Sequence, residues 1–437
     1  MAMIRPESEM KDSGIEGINS IPENWLIKRI KYLFCERNEK VINASSTELL
    51  SVSEYYGVAP RKEKISQAKI LVRAESLEGY KRCEKNDLVS NIMLAWKGAM
   101  GISNYRGVVS PSYCVYTPLE NLYPRYYHYL FRTDIYKEIF KQHSTGIIAS
   151  RLRLYTEQFF SLEALVPPLS EQQAIADYLD EKCSKIDDII AEANASIEEY
   201  KELKLSVLTT ATTKGISDAI EYKISGSRWV NKIPSNWSKI KIHYIIDMPV
   251  IDGPHVSPEL VGEGVDYISA NAIVDGKIDF NKRRGFITRE YSNECRKRYS
   301  PKKNDILVVK LGASTGKMAM VGEFTDFDIW VPLAVVRCKQ EVNAKYIYYS
   351  MSSKYFKDEI KDGWTFGTQE TLGVKTLESL YIFLPSRDEQ DEIVSYLDEQ
   401  LPKYDSLIAE KESLIKDLES YKKSLIYEVV TGKRRVV

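Results

Sequence analysis

The segment of the chain that comes closest to a phosphate-binding loop is 312–317, which reads Gly-Ala-Ser-Thr-Gly-Lys. It is one residue shorter than the GxxxxGK pattern of nucleotide-binding proteins, and Met318 replaces the serine or threonine that binds magnesium. Both differences argue against nucleotide binding. A glycine turn with free backbone N–H groups and a flanking lysine can still hold a phosphate of a nucleic acid, and a purely structural turn is the alternative.

Basic residues mixed with polar ones are of the types that can contact the bases of a nucleic acid. Arginine can bridge O6 and N7 of guanine, while asparagine and glutamine suit adenine. The candidates near predicted strand ends and loops are Arg61, Lys62, Lys64, Asn91 and Lys97 in the first half, and Arg283, Arg284, Arg298, Lys310, Ser314, Lys317 and Gln369 in the second. An ordinary solvated surface is the alternative for each. The 29 tyrosines are interpreted as core or interface residues rather than base-stacking groups.

The sequence lacks the motifs of catalysis on DNA. Methylation of adenine or cytosine needs an Asp/Asn-Pro-Pro-aromatic tetrapeptide, but the one double proline, Pro167-Pro168, is followed by Leu169. No nuclease-like carboxylate cluster is evident. The six cysteines form no CxxC pair, and the four histidines lack metal-ligand spacing. The sequence therefore predicts a non-catalytic chain with no metal and no cofactor of its own.

The elements that would position these residues occur twice. Residues 171–181 recur at 389–399 with an offset of 218, and residues 21–25 recur at 233–237 with an offset of 212. Two long copies differ from a solenoid, which repeats shorter units three or more times. The repeat therefore indicates two similar halves, and we expect a pseudo-two-fold protein that reads something presented twice.

The repeated segments have the apolar spacing of long paired helices, with eight of ten seam positions apolar in each copy over five heptads. The principal seam residues predicted are Ile175, Leu179, Ile186, Ile189 and Leu203 in the first helix, and Ile393, Leu397, Leu407, Leu414 and Leu418 in the second. Each stripe needs a partner, and the matching copy is the obvious one. Two equivalent helices related by a two-fold axis across their length run antiparallel.

Acidic residues are concentrated in these repeated segments. The net charge of the chain is −1, but residues 170–204 carry ten acids and four bases, and residues 388–430 carry twelve acids and five bases. The remainder has a net charge of +12, which would attract a phosphate backbone. A lysine-rich solvated surface is the alternative. Neither a membrane-length apolar run nor a signal peptide is present, so we expect a cytoplasmic protein.

Several short motifs flank the two predicted bodies. Ile-Pro-x-x-Trp occurs at 21–25 and 233–237, and Pro-Pro-Leu-x-Glu-Gln at 167–172. The second helix start, 384–390, lacks one of these prolines, and 304–316 has an Asn-Asp-Ile-Leu stretch followed by two spaced glycines. Together these motifs resemble the specificity subunits of type I restriction–modification systems. The resemblance covers essentially the whole chain.

This resemblance implies an α+β protein with two pseudo-symmetric target-recognition domains separated by two long antiparallel coiled-coil helices. The first target-recognition domain is expected at 1–165 and the first spacer helix at 166–215. The second domain is expected at 216–384, and the second spacer helix with the C-terminal tail at 385–437. Each domain would read one half of a bipartite DNA site, and the spacer would set the gap between the halves.

The resemblance also implies partners. They are double-stranded DNA, two modification (methyltransferase) subunits docked on the spacer, and restriction (motor-nuclease) subunits, which together serve host defence. S-adenosylmethionine, ATP and magnesium would belong to those partner subunits. A catalytic DNA-modifying enzyme is one alternative, opposed by the missing motifs. A coiled-coil scaffold without DNA binding is the other, and it leaves the two basic bodies unexplained.

Overall fold

The structure, a computed structural model, describes residues 3–41, 47–64, 79–148, 151–217, 221–363 and 371–436. The chain forms two compact units. The first comprises Met1–Ala193 and Ser413–Val437, and the second comprises Asn194–Glu412. Each unit therefore contains one α+β body with part of each long helix, and the two units are described separately.

The elements up to the first long helix form the body of the first unit. The strands are β1 (Met3–Ile4), β2 (Met10–Ile15), β3 (Ile18–Pro22), β4 (Leu26–Arg29), β5 (Phe34–Glu36), β6 (Leu50–Ser53), β7 (Gly57–Pro60), β8 (Lys81–Cys83), β9 (Leu88–Asn91), β10 (Met100–Ile102), β11 (Gly107–Val109), β12 (Tyr113–Pro118) and β13 (Glu163–Val166). The helices are α1 (Arg61–Lys64), α2 (Pro124–Leu130), α3 (Asp134–Gln142), α4 (Thr156–Ser161) and the long α5 (Leu169–Lys214).

The later elements form the second body and the second long helix. The strands are β14 (Tyr222–Ile224), β15 (Lys232–Pro234), β16 (Ser238–Lys241), β17 (Ile251–Asp252), β18 (Val265–Ile268), β19 (Ile273–Val274), β20 (Lys277–Ile278), β21 (Gly285–Ile287), β22 (Ile306–Val309), β23 (Met318–Met320), β24 (Phe327–Ile329), β25 (Leu333–Val336), β26 (Tyr381–Leu384) and the C-terminal β27 (Arg434–Arg435). The helices are α6 (Ile242–Ile245), α7 (Arg289–Arg296), α8 (Ala344–Ser352), α9 (Lys354–Asp362), α10 (Val374–Ser379) and the long α11 (Arg387–Val430).

The two bodies share a central antiparallel sheet with equivalent strand order. The order is β10-β9-β12-β5 in the first body and β23-β22-β25-β17 in the second. Their smaller sheets differ, because the second body has a three-stranded sheet β21-β18-β24 where β18 runs parallel to β24. The first body instead pairs β6 with β7 and β8 with β11. A shared framework thus carries different accessory strands.

Large aromatic side chains fill the cores, in agreement with the interpretation of many tyrosines as core residues. Six tyrosines are at most 1% exposed: Tyr116, Tyr126, Tyr127, Tyr136, Tyr267 and Tyr346. Aromatic side chains bury large apolar areas, and this burial stabilises each body.

Each central sheet is entered through a left-handed asparagine. Asn86 has φ 73° and Asn304 has φ 71°, a conformation that asparagine tolerates better than most residues. The next residues, Asp87 and Asp305, are 1% exposed, and each carboxylate accepts a bond from an arginine of its own body, at 2.9 and 2.8 Å. The repeated Asn-Asp pair therefore has a structural role.

The repeated Glu-Gln motif fastens each long helix to its body. The indole N–H of Trp25 donates to Glu171 (2.9 Å), and that of Trp237 donates to Glu389 (2.8 Å). Both indoles are fully buried. The repeated pairing of entry tryptophan and helix start is thus explained by one buried hydrogen bond in each unit.

The following glutamines complete this attachment. Gln172 donates its side-chain amide to the carbonyl of Pro167 (2.8 Å) and accepts from the backbone N–H of Tyr123 (2.9 Å). Gln390 makes the equivalent pair of bonds in the second unit, at 3.0 and 2.8 Å. Because both glutamines are nearly inaccessible, losing either amide would leave buried backbone groups without partners.

The predicted seam of the long helices needs correction at alternate positions. Ile175, Leu179, Ile186, Ile393 and Leu397 are buried and Leu418 is partly buried. In contrast, four predicted seam residues are 37–44% exposed, namely Ile189, Leu203, Leu407 and Leu414. The less exposed residues follow the predicted ones by one position and include Cys183, Ile190 and Ile197 in α5 and Leu401, Ile408 and Ile415 in α11.

The seam residues were misplaced because the phase of the heptad pattern shifts near the start of the long helix. Ile175 and Leu179 pack into the aromatic core of the body, and the next buried position, Cys183, follows after a second step of four residues. Steps alternating between three and four residues then continue along the helix, as in a heptad repeat. Extrapolating from Ile175 with a single alternating pattern therefore places every second seam residue one position early.

Within each unit the two long helices run antiparallel. In the first unit Lys422 donates to Asp187 (2.6 Å), and in the second Lys204 bonds to Asp405. Asp405 follows Asp187 by 218 residues, and Lys422 follows Lys204 by the same number. The two ion pairs are therefore equivalent contacts of a two-fold repeat, as the sequence offset predicts.

The C-terminus completes the first unit. Strand β27 pairs with β1, and Arg5 donates to the carbonyl of Gly432 (3.1 Å) and to Glu171 (2.6 Å). Leu425 and Val429 belong to the same buried cluster as the entry tryptophan. Residues from both ends of the sequence therefore form one core.

Candidate nucleic-acid interface

A cleft of about 790 Å³ opens on the second body at one edge of its three-stranded sheet. Residues 269–271 follow β18, Trp330 follows β24, and residues 282–284 precede β21. Because β21 is antiparallel to β18 while β24 is parallel to it, these three segments meet at the same edge. The turn 311–317, which follows β22, forms the remaining wall.

The described lining of this cleft is cationic. Lys282, Arg283, Arg284 and Lys317 line it, and none of the described lining residues is acidic. Arg283 also forms an ion pair with Asp266 beside the cleft. This concentration of positive charge attracts a polyanion, and the field is stronger in a concave surface than on a flat one.

Arg284 has a defined orientation in the cleft. Its guanidinium lies 3.4 Å from the ring centroid of Trp330, a stacking arrangement that arginine favours over lysine. Stacking uses the flat face of the guanidinium and leaves its N–H edge for hydrogen bonds. An edge presented in this way matches the bidentate acceptors of guanine or of a phosphate.

Three backbone amides of the glycine turn are already hydrogen-bonded within the body, and two of its polar side chains line the cleft. Gly312 and Gly316 have φ of 86° and 87°. The amide of Thr315 donates to Gly312 (2.9 Å), that of Lys317 donates to Ser314 (3.0 Å), and that of Gly316 bonds to the preceding strand (2.8 Å). The expectation of free backbone N–H groups is therefore wrong for these three amides. Ser314 and Lys317 face the cleft.

Two other candidates of the second body lie together outside this lining. Lys310 is 7% exposed and forms an ion pair with Asp252 (2.8 Å), which Arg298 also contacts (3.2 Å). Burial alone would raise the pKa of Asp252, but its bonds to Lys310 hold that pKa below its usual value. Lys310 therefore has a structural role rather than the predicted role in base reading.

Asn91 is also a structural residue. It ends β9, is 5% exposed, and accepts a hydrogen bond from the backbone N–H of Met93 (3.2 Å). Lys97 is exposed, with its ammonium 5.2 Å from the ring centroid of Trp96. Burial thus removes Asn91 as a base-reading candidate but retains Lys97.

The remaining candidates are divided between a short helix and an undescribed segment. Arg61 and Lys62 begin α1, with Lys62 exposed and Arg61 partly exposed, and Lys64 is the last residue of that helix. Gln369 lies outside the described residues. The structure gathers Arg283, Arg284, Ser314 and Lys317 into one cleft, but it does not place the other candidates there.

The cleft residues that are absent from the sequence-based candidates include Asn271, Lys282 and Trp330. Lys282 adjoins two predicted arginines, so its position in the sequence could have suggested it. Trp330 gives no comparable signal, because its importance arises from the stacking of an arginine 46 residues earlier in the chain.

The described ranges contain neither a metal-binding cluster nor a membrane-spanning helix. There, no group of three or more histidine, cysteine or carboxylate side chains is arranged to hold a metal ion. Within the same ranges, no helix has both the length and the apolar character needed to cross a membrane.

The chain matches the family model for the type I restriction modification DNA specificity domain twice, at residues 22–199 and 234–417. These matches cover most of the chain, and each includes one α+β body and much of one long helix. The family match therefore follows the internal repeat.

Curated relatives have similar sequences. The specificity subunit of the type I restriction enzyme EcoBI from Escherichia coli is 27% identical over 276 residues, which are 61% of this chain and 57% of that relative. The MjaVIII specificity subunit from Methanocaldococcus jannaschii is 24% identical over 440 residues, covering 95% of this chain and 94% of the relative.

Solved structures have a similar fold. A chain from a type I restriction–modification system, studied for complex assembly and conformational transition, has a TM-score of 0.68 at 14% identity and covers 94% of this chain and 98% of its own. The HsdS subunit of Thermoanaerobacter tengcongensis has a TM-score of 0.51 at 15% identity, covering 96% and 99%. With the double family match, these similarities show that the chain belongs to the type I restriction–modification DNA specificity family.

Proposed function

We propose that the chain is the DNA sequence-recognition subunit of a type I restriction–modification complex. Each target-recognition domain reads one half of a bipartite DNA site, and the paired long helices set the gap between the halves. The observation that carries this proposal for the present chain is the cationic cleft, in which Arg284 is oriented by Trp330. A catalytic DNA-modifying enzyme and a scaffold without DNA binding are less well supported, because the family is one of specificity subunits.

Removal of two cleft cations should weaken DNA binding. In the complex with the modification subunit, the double variant Arg284→Ala/Lys317→Ala should bind its recognition site at least about tenfold more weakly, since a good base contact alone contributes ~1–3 kcal/mol of discrimination. The slope of log K against log salt should become shallower by about one for each phosphate that the variant no longer neutralises. Titration of labelled duplex at several salt concentrations measures both quantities.

A matched control uses a cation elsewhere on the same body. Arg289, the first residue of α7, is exposed, lies outside the cleft lining and pairs with Asp326 (2.8 Å). Arg289→Ala should therefore leave DNA affinity nearly unchanged. Unchanged affinity and salt slope in the double variant would exclude the cleft as a DNA-contacting surface.

The long helices also carry a second apolar line that is suited to partner subunits. Its residues are 37–51% exposed and comprise Ile189 and Leu203 on α5 and Leu407, Leu414 and Tyr421 on α11. They recur at intervals of seven or fourteen residues. At the offset of 218, Ile189 and Leu203 are equivalent to Leu407 and Tyr421, whereas Leu414 corresponds to Ser196. Exposed apolar residues with this spacing are suited to packing against a further helix. This twofold occurrence supports docking of two modification subunits.

Methyl transfer should depend on this docking surface. The isolated chain should transfer no methyl group from S-adenosylmethionine, and adding the modification subunit should give sequence-specific methylation. Leu407→Glu/Leu414→Glu should abolish that methylation, because docking would then bury two carboxylates at the interface, which is unfavourable. Co-purification and incorporation of labelled methyl groups measure docking and activity.

The control places the same charges on neighbouring exposed positions. Ser406→Glu/Ser413→Glu adds two carboxylates on a different face of α11 and should retain methylation. Methyl transfer by the isolated chain would contradict the proposed function and favour the enzymatic alternative. We assign S-adenosylmethionine, ATP and magnesium to the partner subunits, with restriction subunits completing the complex, and we place the assembly in the cytoplasm.

A further inference from the structure

One partly buried guanidinium in the first domain joins two turns. It belongs to Arg132, which lies between α2 and α3. The guanidinium donates to five backbone carbonyls, those of Ser53 (3.3 Å), Glu54 (3.0 Å), Tyr55 (2.9 Å), Gly98 (3.3 Å) and Met100 (2.9 Å). The first three form the tip of the β6–β7 hairpin, and the last two follow the turn that carries Lys97.

The positive charge of Arg132 is stabilised by the dipoles of main-chain carbonyls and not by a carboxylate of the described residues. Among the described residues, no carboxylate forms an ion pair with it, and its hydrogen-bond acceptors there are all main-chain carbonyls. Burial, and to a smaller degree the neighbouring Arg125, lowers the pKa of Arg132 to about 10, so it remains protonated at neutral pH. A positive charge partly withdrawn from water without a counter-ion is costly, and a nearby phosphate would compensate it.

The hairpin tip is also held from the other side. Gly57 has φ 79°, and a Cβ at this position would lie 2.9 Å from the ring of His128. The Tyr56 hydroxyl lies 3.1 Å from that of Ser51 across the hairpin. In this fixed turn the Tyr55 side chain is 83% exposed. The backbone of the hairpin tip is therefore held in place, whereas the Tyr55 side chain has little contact with its own domain.

We propose that the β6–β7 hairpin tip is a DNA-contacting element in which the Tyr55 ring packs on a base edge of the first half-site. Arg132 is the positioning residue that fixes the tip, and its charge, with that of Lys97, attracts the adjoining phosphates. This inference rests on the proposed function and adds a residue to the recognition surface of the first domain. Tyr55 is an exception to the interpretation of the tyrosines as core residues.

The test measures DNA binding by the complex with the modification subunit. The probes are a duplex carrying the motif methylated in the host and the same duplex with its first half-site scrambled. Tyr55→Ala should weaken binding to the first probe at least about tenfold, within the range expected for removing one aromatic or base interaction. Binding to the scrambled probe and the salt slope should remain unchanged, because the ring carries no charge. Tyr32→Ala, which removes another tyrosine of this domain (62% exposed), is the matched control.

The variant Arg132→Gln tests the positioning role. If Arg132 acts through the hairpin, Tyr55→Ala should reduce DNA affinity much less in the Arg132→Gln background than in the unmodified protein. This non-additivity in affinity is a readout that the melting temperature does not report. The inference is overturned if the unmodified complex distinguishes the two probes and the Tyr55→Ala complex binds each probe with the same affinity as the unmodified complex. If the unmodified complex shows no preference, the proposed function itself fails. Additive losses for the two variants would exclude positioning by Arg132.

Discussion

Removal of residues 197–203 from α5 together with 406–412 from α11 should shorten the methylated motif by about three base pairs in its central gap. Seven helical residues span about 10 Å, and B-DNA rises about 3.4 Å per base pair. The bases specified at each end should be unchanged. Sequencing of methylated positions in cells that express the shortened protein with its modification subunit measures the gap.

The choice of segments follows from the pairing seen in the second unit. Both segments lie next to the Lys204–Asp405 ion pair, and each removes one complete heptad, so the phase of the seam is preserved. Leu414 and Tyr421 then take the heptad positions of Leu407 and Leu414, so the exposed apolar line of α11 is retained. Removing 197–203 alone is the control, because one shortened helix loses register with its partner and should lose activity. A folded, doubly shortened protein that still directs methylation to the original spacing would show that the helices do not set the gap.

Replacement of residues 20–165 by the corresponding domain of a relative that reads another sequence should change one half of the methylated motif and leave the other half intact. The two bodies share the order of their central sheets but differ in their accessory strands, and the cationic cleft is built on strands of the second body. We therefore expect the two reading surfaces to be independent. Genome-wide methylation mapping detects the expected change.

The structure specifies which interactions a functional replacement must retain. Tyr129 donates to Asp180 (2.5 Å), and Tyr126 donates to the carbonyl of Val430 (2.8 Å). A chimera that keeps these two tyrosines should assemble, whereas a matched chimera lacking both hydroxyls should be less stable. A change in both half-sites, or in neither, for an assembled chimera would contradict independent reading.

The long helices could be predicted from the sequence because their apolar spacing extends over many turns. Their seam could not be placed residue by residue, because Ile175 is buried by its own body, and the sequence does not distinguish that burial from contact with a helix. The same limit applies to Asn91 and Lys310, whose residue types suit base recognition. Their burial and partners Met93 and Asp252 arise from the folded arrangement.

The candidate recognition surface could be predicted from the sequence only in part. Adjacent cations such as Arg283 and Arg284 were visible in the sequence as a cluster. The stacking of Trp330 and the positioning of Tyr55 by Arg132 join residues that are distant along the chain. Such interactions depend on sheet topology, which differs between the two bodies, so their repeated framework could not reveal them.

The joining of both chain ends in the first unit has a consequence for protein synthesis. The second unit is one continuous segment, Asn194–Glu412, and all its residues are available before the ribosome has made residue 413. The first unit begins earlier but lacks Leu425 and Val429 of its core until the residues that follow the second unit have been made. The core of the second unit can therefore be complete before that of the first. A product that ends before Leu425 leaves part of the aromatic core of its first unit uncovered. Such exposed apolar surface is recognised by chaperones and proteases.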